Sequence, residues 1–190
     1  MGTRALVFLV SLTVLASPAV ADLQLVPRPV DYVLDGIKLS QLAFSDGSGK
    51  EVTYAPPTGW ECSGSATKLT LHPANKPQAE GTISRRPMAE PTAFDEATMK
   101  KLTDEIVASA PPGSTDVTVV SQEKNPLLIE RKETYLVVIA YKFYGGNYKR
   151  SVMFLNRGKE QLRFEFVSLE RDFPELERAF LGSQYSWQNL

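Results

Sequence analysis

The sequence predicts an α+β protein, an α/β/α sandwich built on a mostly antiparallel sheet with two main helices. Three observations predict it. Residues 95–110 and 172–182 carry apolar side chains at helical spacing. The stretch between them, 117–167, is rich in β-branched and aromatic residues. Within it, Tyr135-Leu136-Val137-Val138-Ile139-Ala140-Tyr141 is apolar at both parities, the pattern of a strand covered on both faces. One helix on each side of such a strand gives three layers.

Taken in order, residues 1–21 have the three parts of a secretory signal. Arg4 gives a positive start, residues 5–16 are charge-free and mostly apolar, and Ala19-Val20-Ala21 is a small-x-small cleavage site before Asp22. The apolar run falls short of the roughly 20 residues that span a bilayer. A lipid anchor needs a cysteine just after the cleavage point, and the only cysteine is Cys62. The expectation is an exported chain, periplasmic or secreted, with no transmembrane segment after cleavage. Residues 22–36, with Pro27 and Pro29, read as an extended strap or edge strand, where proline is tolerated. Residues 37–190 read as one domain.

Two hairpins follow the strap. Residues 37–44 and 52–54 flank Ser45-Asp46-Gly47-Ser48-Gly49, and 67–72 and 80–85 flank Pro73-Ala74-Asn75-Lys76-Pro77. The first helix is expected after Thr92 and Asp95, at capping-box spacing, with Met99, Leu102, Ile106 and Ala110 on one face. Lys100, Lys101, Asp104 and Glu105 form its solvated side, and Pro111-Pro112-Gly113 ends it. Strands are expected over 117–120, 127–130, 134–143, 149–155 and 161–167. The closing helix has Asp172 as its cap, Pro174 in its first turn, and Phe173, Leu176 and Phe180 on one face before Gly182.

The segment Tyr54-Ala55-Pro56-Pro57-Thr58-Gly59-Trp60 follows a hairpin. A helix and three long strands come next, then a helix ending in Phe180-Leu181-Gly182-Ser183-Gln184-Tyr185-Ser186-Trp187. This order resembles the PsbP-like superfamily, which includes the extrinsic PsbP subunit of photosystem II, a Ran-binding nuclear-transport factor and DcrB-type bacterial envelope proteins. The likeness spans roughly residues 37–187. It implies an α/β/α sandwich around an antiparallel sheet and a non-enzymatic accessory role. It carries over no functional residue.

Composition excludes several function classes. The whole chain holds 21 basic and 22 acidic residues; without the leader, which contains only Arg4, the balance is 20 against 22, or −2. Nucleic-acid binders carry a basic excess, so nucleic acid is not an expected partner. One cysteine makes no intrachain disulfide. One histidine and one cysteine do not assemble a usual tetrahedral zinc site, so no metal or cofactor is expected. Asp46 to Glu51 mimics a calcium loop, but Lys50 stands where an oxygen ligand belongs and Glu51 where glycine belongs. Gly47-Ser48-Gly49-Lys50 mimics a phosphate loop, with Phe44 and Glu51 at positions that require Gly and Ser or Thr.

No serine lies in a Gly-x-Ser-x-Gly elbow, and no catalytic residue is assigned. Two alternatives stay open: a hydrolase using carboxylates or a Cys62/His72 pair, and a carrier of a lipid or other apolar ligand in a pocket between sheet and helix. The one segment that reads as a binding surface is Tyr141 to Arg150, where aromatics and basic residues surround Gly145-Gly146-Asn147. Its candidate residues are Tyr144, Tyr148, Lys149 and Arg150, with the tip and Lys149-Arg150 expected to be exposed. The leading expectation is an exported, non-catalytic accessory factor of the envelope that binds another protein.

Overall fold

In a computed structural model, residues 23–47, 49–90 and 92–189 are described. The expected signal peptide, residues 1–21, and the expected new N-terminus at Asp22 lie outside them. Eleven strands and two helices follow one another: β1 (Arg28–Leu34), β2 (Ile37–Ser45), β3 (Glu51–Tyr54), β4 (Trp60–Gly64), β5 (Lys68–Pro73), β6 (Glu80–Pro87), α1 (Glu96–Ala108), β7 (Thr115–Lys124), β8 (Thr134–Phe143), β9 (Gly146–Arg157), β10 (Glu160–Leu169), α2 (Phe173–Ser183) and β11 (Gln188–Asn189). They form a seven-stranded sheet, β4-β5-β6-β10-β9-β8-β7, and a four-stranded sheet, β1-β2-β3-β11. Every pairing between these strands is antiparallel.

The large sheet divides two cores by strand parity. Tyr135, Val137, Ile139 and Tyr141 of β8 pack with Val152 and Phe154 of β9 against Leu102 and Ile106 of α1. Leu136 and Val138 face the other way, joining Met153, Leu162, Phe164 and Phe166 beneath Phe173 and Phe180 of α2. The small sheet closes this second core with Phe44, Val52, Tyr54 and Trp187. Helices thus sit on opposite faces, and the double-sided apolar pattern of β8 is what requires them.

Each helix docks through a local device. Asp95 caps α1 by accepting from the Thr98 amide at 2.8 Å, which holds its carboxyl below the ordinary value. The cap is therefore Asp95 alone, and the helix stops at Ala108, leaving Ala110 outside. On the other face, Gly81 of β6 lets α2 approach: a Cβ there would meet Phe180 Cε2 at 2.9 Å. Phe180 stacks on Trp60 at 6.2 Å and packs on Phe166 at 5.7 Å. Asp172 stands at the start of α2 without capping it; Lys76 takes its carboxylate at 2.6 Å instead.

Several expectations are corrected. Residues 127–130 form a loop, with a single bridge between Ile129 and Lys132. Glu130 and Arg131 between them are both left-handed, at φ 52° and 59°, which no regular strand accommodates. Residues 60–64 form β4, paired in register with β5. The strap contributes β1, an edge strand holding Pro29, and packs Leu23 and Leu25 into the second core. Glu105 is not free in solvent: Arg86 donates to it at 3.0 Å and Arg163 at 2.9 Å, tying α1 to β6 and β10.

Candidate functional site

The aromatic hairpin that the sequence singles out joins β8 to β9. The register pairs Phe143 with Gly146 and Lys142 with Asn147, so the turn is Tyr144-Gly145 and the expected Gly146 and Asn147 belong to β9. Both turn residues are left-handed, Tyr144 at φ 46° and Gly145 at φ 76°, as a two-residue hairpin of this hand requires. Tyr144 is 94% exposed. Its ring meets Phe143 edge-on at 4.4 Å, Phe143 meets Tyr148 at 6.4 Å, and Tyr148 stacks on Tyr141 at 5.8 Å. The tip is thus the free end of a braced aromatic ladder that runs down to the α1 core.

The basic pair beside it separates. Lys149 is half-buried and donates toward Glu170, with 3.1 Å between the charged atoms. Arg150 is only 7% exposed. Its Nη2 donates to the carbonyl of Ile106 at 2.8 Å and to Ser109 Oγ at 2.8 Å, and its Nη1 to the carbonyl of Ser109 at 3.1 Å. These acceptors lie at the C-terminal end of α1, where a cation is favoured, and the Ile106 carbonyl also accepts from Ser109 N and Oγ. The expectation that Arg150 is exposed is corrected: it lies on the α1 side of β9, and both its Nη atoms are engaged by the helix end.

Cys62 and His72 do not meet. Cys62 pairs with Leu71 and Glu61 with His72, so Cys62 shares its face with buried Leu71 while His72 points to the opposite face. Burial pushes the Cys62 thiol up to about 11. His72 lies 3.9 Å from Glu80 at the surface. Among the described residues, no group of three or more His, Cys, Asp or Glu is placed to hold a metal ion. No helix among them is long and apolar enough to cross a membrane.

A groove of about 520 Å³ opens on the other face. Pro126 and Leu127 of the β7–β8 loop form one wall, Pro174, Glu177 and Leu181 of α2 the other, with Met153 of β9 on the floor and Tyr185 at one end. Glu177 is half-buried there, and burial raises its carboxyl above the ordinary value, against the opposing effects of Ser151 and Lys149. Its Oε1 is shielded from solvent and, among the described residues, accepts no hydrogen bond.

No protein-family model matches the chain, and no curated protein matches it. Among solved structures it is similar to cyanobacterial PsbP (CyanoP) from Synechocystis sp. PCC 6803. That match has a TM-score of 0.52 and 11% identity, covering 94% of this chain and 99% of the other. The chain has the PsbP-like fold. A protein of unknown function from Pseudomonas aeruginosa, PA94, also matches, with a TM-score of 0.45 and 15% identity over 83% of this chain and 94% of that one.

Within this PsbP-like fold, the sequence singles out the hairpin by residue, and it leaves open a pocket between sheet and helix without naming its residues. The groove's residues come from a loop, a strand and a helix far apart in the chain, so no local motif announces them. One signal was available. Glu177 lies four residues after Phe173 and three before Phe180, which puts a carboxylate on the apolar stripe of α2.

Proposed function

We propose that this chain is an exported, non-catalytic accessory factor of the cell envelope that works by holding another protein, with Tyr144 as an anchor of that contact. The observation that carries the reading is the conformation and exposure of Tyr144. A left-handed residue with a Cβ costs about 1–2 kcal/mol, and glycine, asparagine or aspartate is the usual occupant. A side chain 94% exposed recovers little of that by burial. Apart from its edge contact with Phe143, folding gives no reason for tyrosine here, whereas an aromatic ring on a stiff support is what interface anchors use. Tyr148 stiffens the ladder, Arg150 braces it from inside, and Lys149 lies on the opposite face of β9.

The leader pattern of residues 1–21 supports export, and the distance between the chemistries of Cys62 and His72 supports a non-catalytic role. The test uses Tyr144→Gly. Glycine relieves the turn, so the variant melts at the same or a higher temperature than the parent. Retention of a partner from native envelope extract falls about tenfold, the loss of a typical anchor. A variant that melts lower and retains the partner equally well defeats the reading. N-terminal sequencing of the exported protein beginning at Asp22 checks the leader.

A further inference from the structure

We infer that the α2 groove is a binding site for a small apolar molecule carrying one cationic nitrogen, held by Glu177. The inference is independent of the hairpin reading. Its volume, about 520 Å³, falls within the range of small-molecule sites, which are mostly apolar with a few placed polar groups. Leu127, Met153, Pro174 and Leu181 supply the apolar lining. Glu177 supplies the polar group: Ser151 hydrogen-bonds its carboxyl, and the shielded Oε1 is left with no donor among the described residues. A buried acceptor left without a donor is costly, and native chains rarely keep one without a use.

The neighbouring charges do not meet this need. Lys149 of β9 is engaged by Glu170 at 3.1 Å and forms no ion pair with Glu177 within 4.0 Å. Arg178 borders the groove but is exposed, so water solvates its guanidinium at the mouth. An ammonium group entering along the apolar wall finds its charge partner in the Glu177 carboxylate that lines it. A carboxylate in its place would meet like charge in a dry setting, a strongly unfavourable arrangement.

Two further features mark the site. The loop forming one wall is strained, with Asn125, Glu130 and Arg131 all left-handed at φ 60°, 52° and 59°. It is also anchored: Thr134 Oγ1 donates to the carbonyl of Leu127, and Glu130 lies 3.5 Å from Arg157. Tyr185 at the groove's end and Leu128 beside its wall are 70% and 56% exposed, large apolar side chains that the fold does not cover. A wall held rigidly in an unfavourable backbone, beside uncovered apolar side chains, is better explained by a ligand than by folding.

The experiment titrates purified protein by calorimetry with decylammonium, decanoate and decanol, each below its micelle concentration. Decylammonium binds with one-to-one stoichiometry and at least about tenfold tighter than decanoate, since a charge-assisted hydrogen bond to a shielded carboxylate is worth that much. Glu177→Gln removes most of the preference for decylammonium and leaves decanol unchanged. Glu175→Gln, on the exposed side of the same helix, changes neither. Leu127→Ser weakens decylammonium and decanol alike. Equal binding of the ammonium and the carboxylate, an unaltered preference in Glu177→Gln, or no saturable binding overturns the assignment. So does a Lys-containing apolar peptide that outcompetes decylammonium in a Glu177-dependent way, because the groove then belongs to a protein partner.

Discussion

Arg150 of β9 donates from Nη2 to the carbonyl of Ile106 at 2.8 Å, so a strand side chain finishes a helix on the far side of a core. The same guanidinium reaches Glu165 of β10 at 3.6 Å. Helix end, strand and neighbouring strand are joined by one charge.

Arg150→Met keeps much of the length and removes every donor. It takes the guanidinium away from the carbonyls of Ile106 and Ser109 and leaves Glu165 with Arg163 alone, at 4.0 Å. The expected loss is about 2–4 kcal/mol, read as a fall in the denaturant midpoint. Arg150→Lys recovers part of it, because an ammonium reaches fewer acceptors than a guanidinium fork. An unchanged midpoint in Arg150→Met shows that packing alone holds the helix end.

Gln184 is fully buried, and among the described residues neither its amide nitrogen nor its amide oxygen has a hydrogen-bond partner. Gln184→Met keeps the shape and drops the polar atoms, so the protein gains about 1 kcal/mol. Thermal melting checks it. A destabilised variant means the amide is satisfied in solution in a way that methionine does not replace.

Cys62 titrates near 11 because burial disfavours its thiolate. The thiolate is the reactive form, so alkylation by iodoacetamide is slow at pH 7–8 and accelerates only as pH rises toward that value. Timed mass spectrometry across pH gives the profile. Rapid modification at neutral pH contradicts the burial assignment.

Gly81→Ala places a Cβ against the Phe180 ring at 2.9 Å, between β6 and α2. Both partners are well packed, so the cost is about 1–3 kcal/mol. Because α2 also walls the groove, decylammonium binding weakens in the same variant. A neutral substitution shows that the ring shifts aside freely.

The parts of the fold written in local pattern were legible. The apolar parity of β8, the Leu102–Ile106 stripe of α1 and the turn residues of the hairpins depend on near neighbours alone. β4 was not legible, because Glu61, Ser63 and Gly64 are polar or small and exposed, and only pairing with β5 makes them a strand. Residues 127–130 misled for the opposite reason: Leu127, Leu128 and Ile129 look like a strand, but two left-handed residues turn the chain back after them. Arg150 follows the same logic. A Lys-Arg pair after a turn reads as surface, and only the arrival of α1 over β9 gives the arginine acceptors inside. Tyr144 was found because aromatic and turn residues stand side by side in the sequence, and the residues of the α2 groove were missed because they do not.

The last strand has a consequence for the order in which the molecule assembles. Gln188 pairs with Thr53 and Asn189 with Val52, and Trp187 beside them stacks on Phe44 at 5.7 Å. More than two thirds of the chain separates those partners. β11 therefore joins β3 only through a long-range contact, and closure over so long a loop is slow. Until then the second core lacks its lid, and Phe44, Tyr54 and Phe164 stay open to solvent or to a chaperone. A chain whose helices and large sheet have formed thus still leaves this core uncovered until residues 187–189 dock.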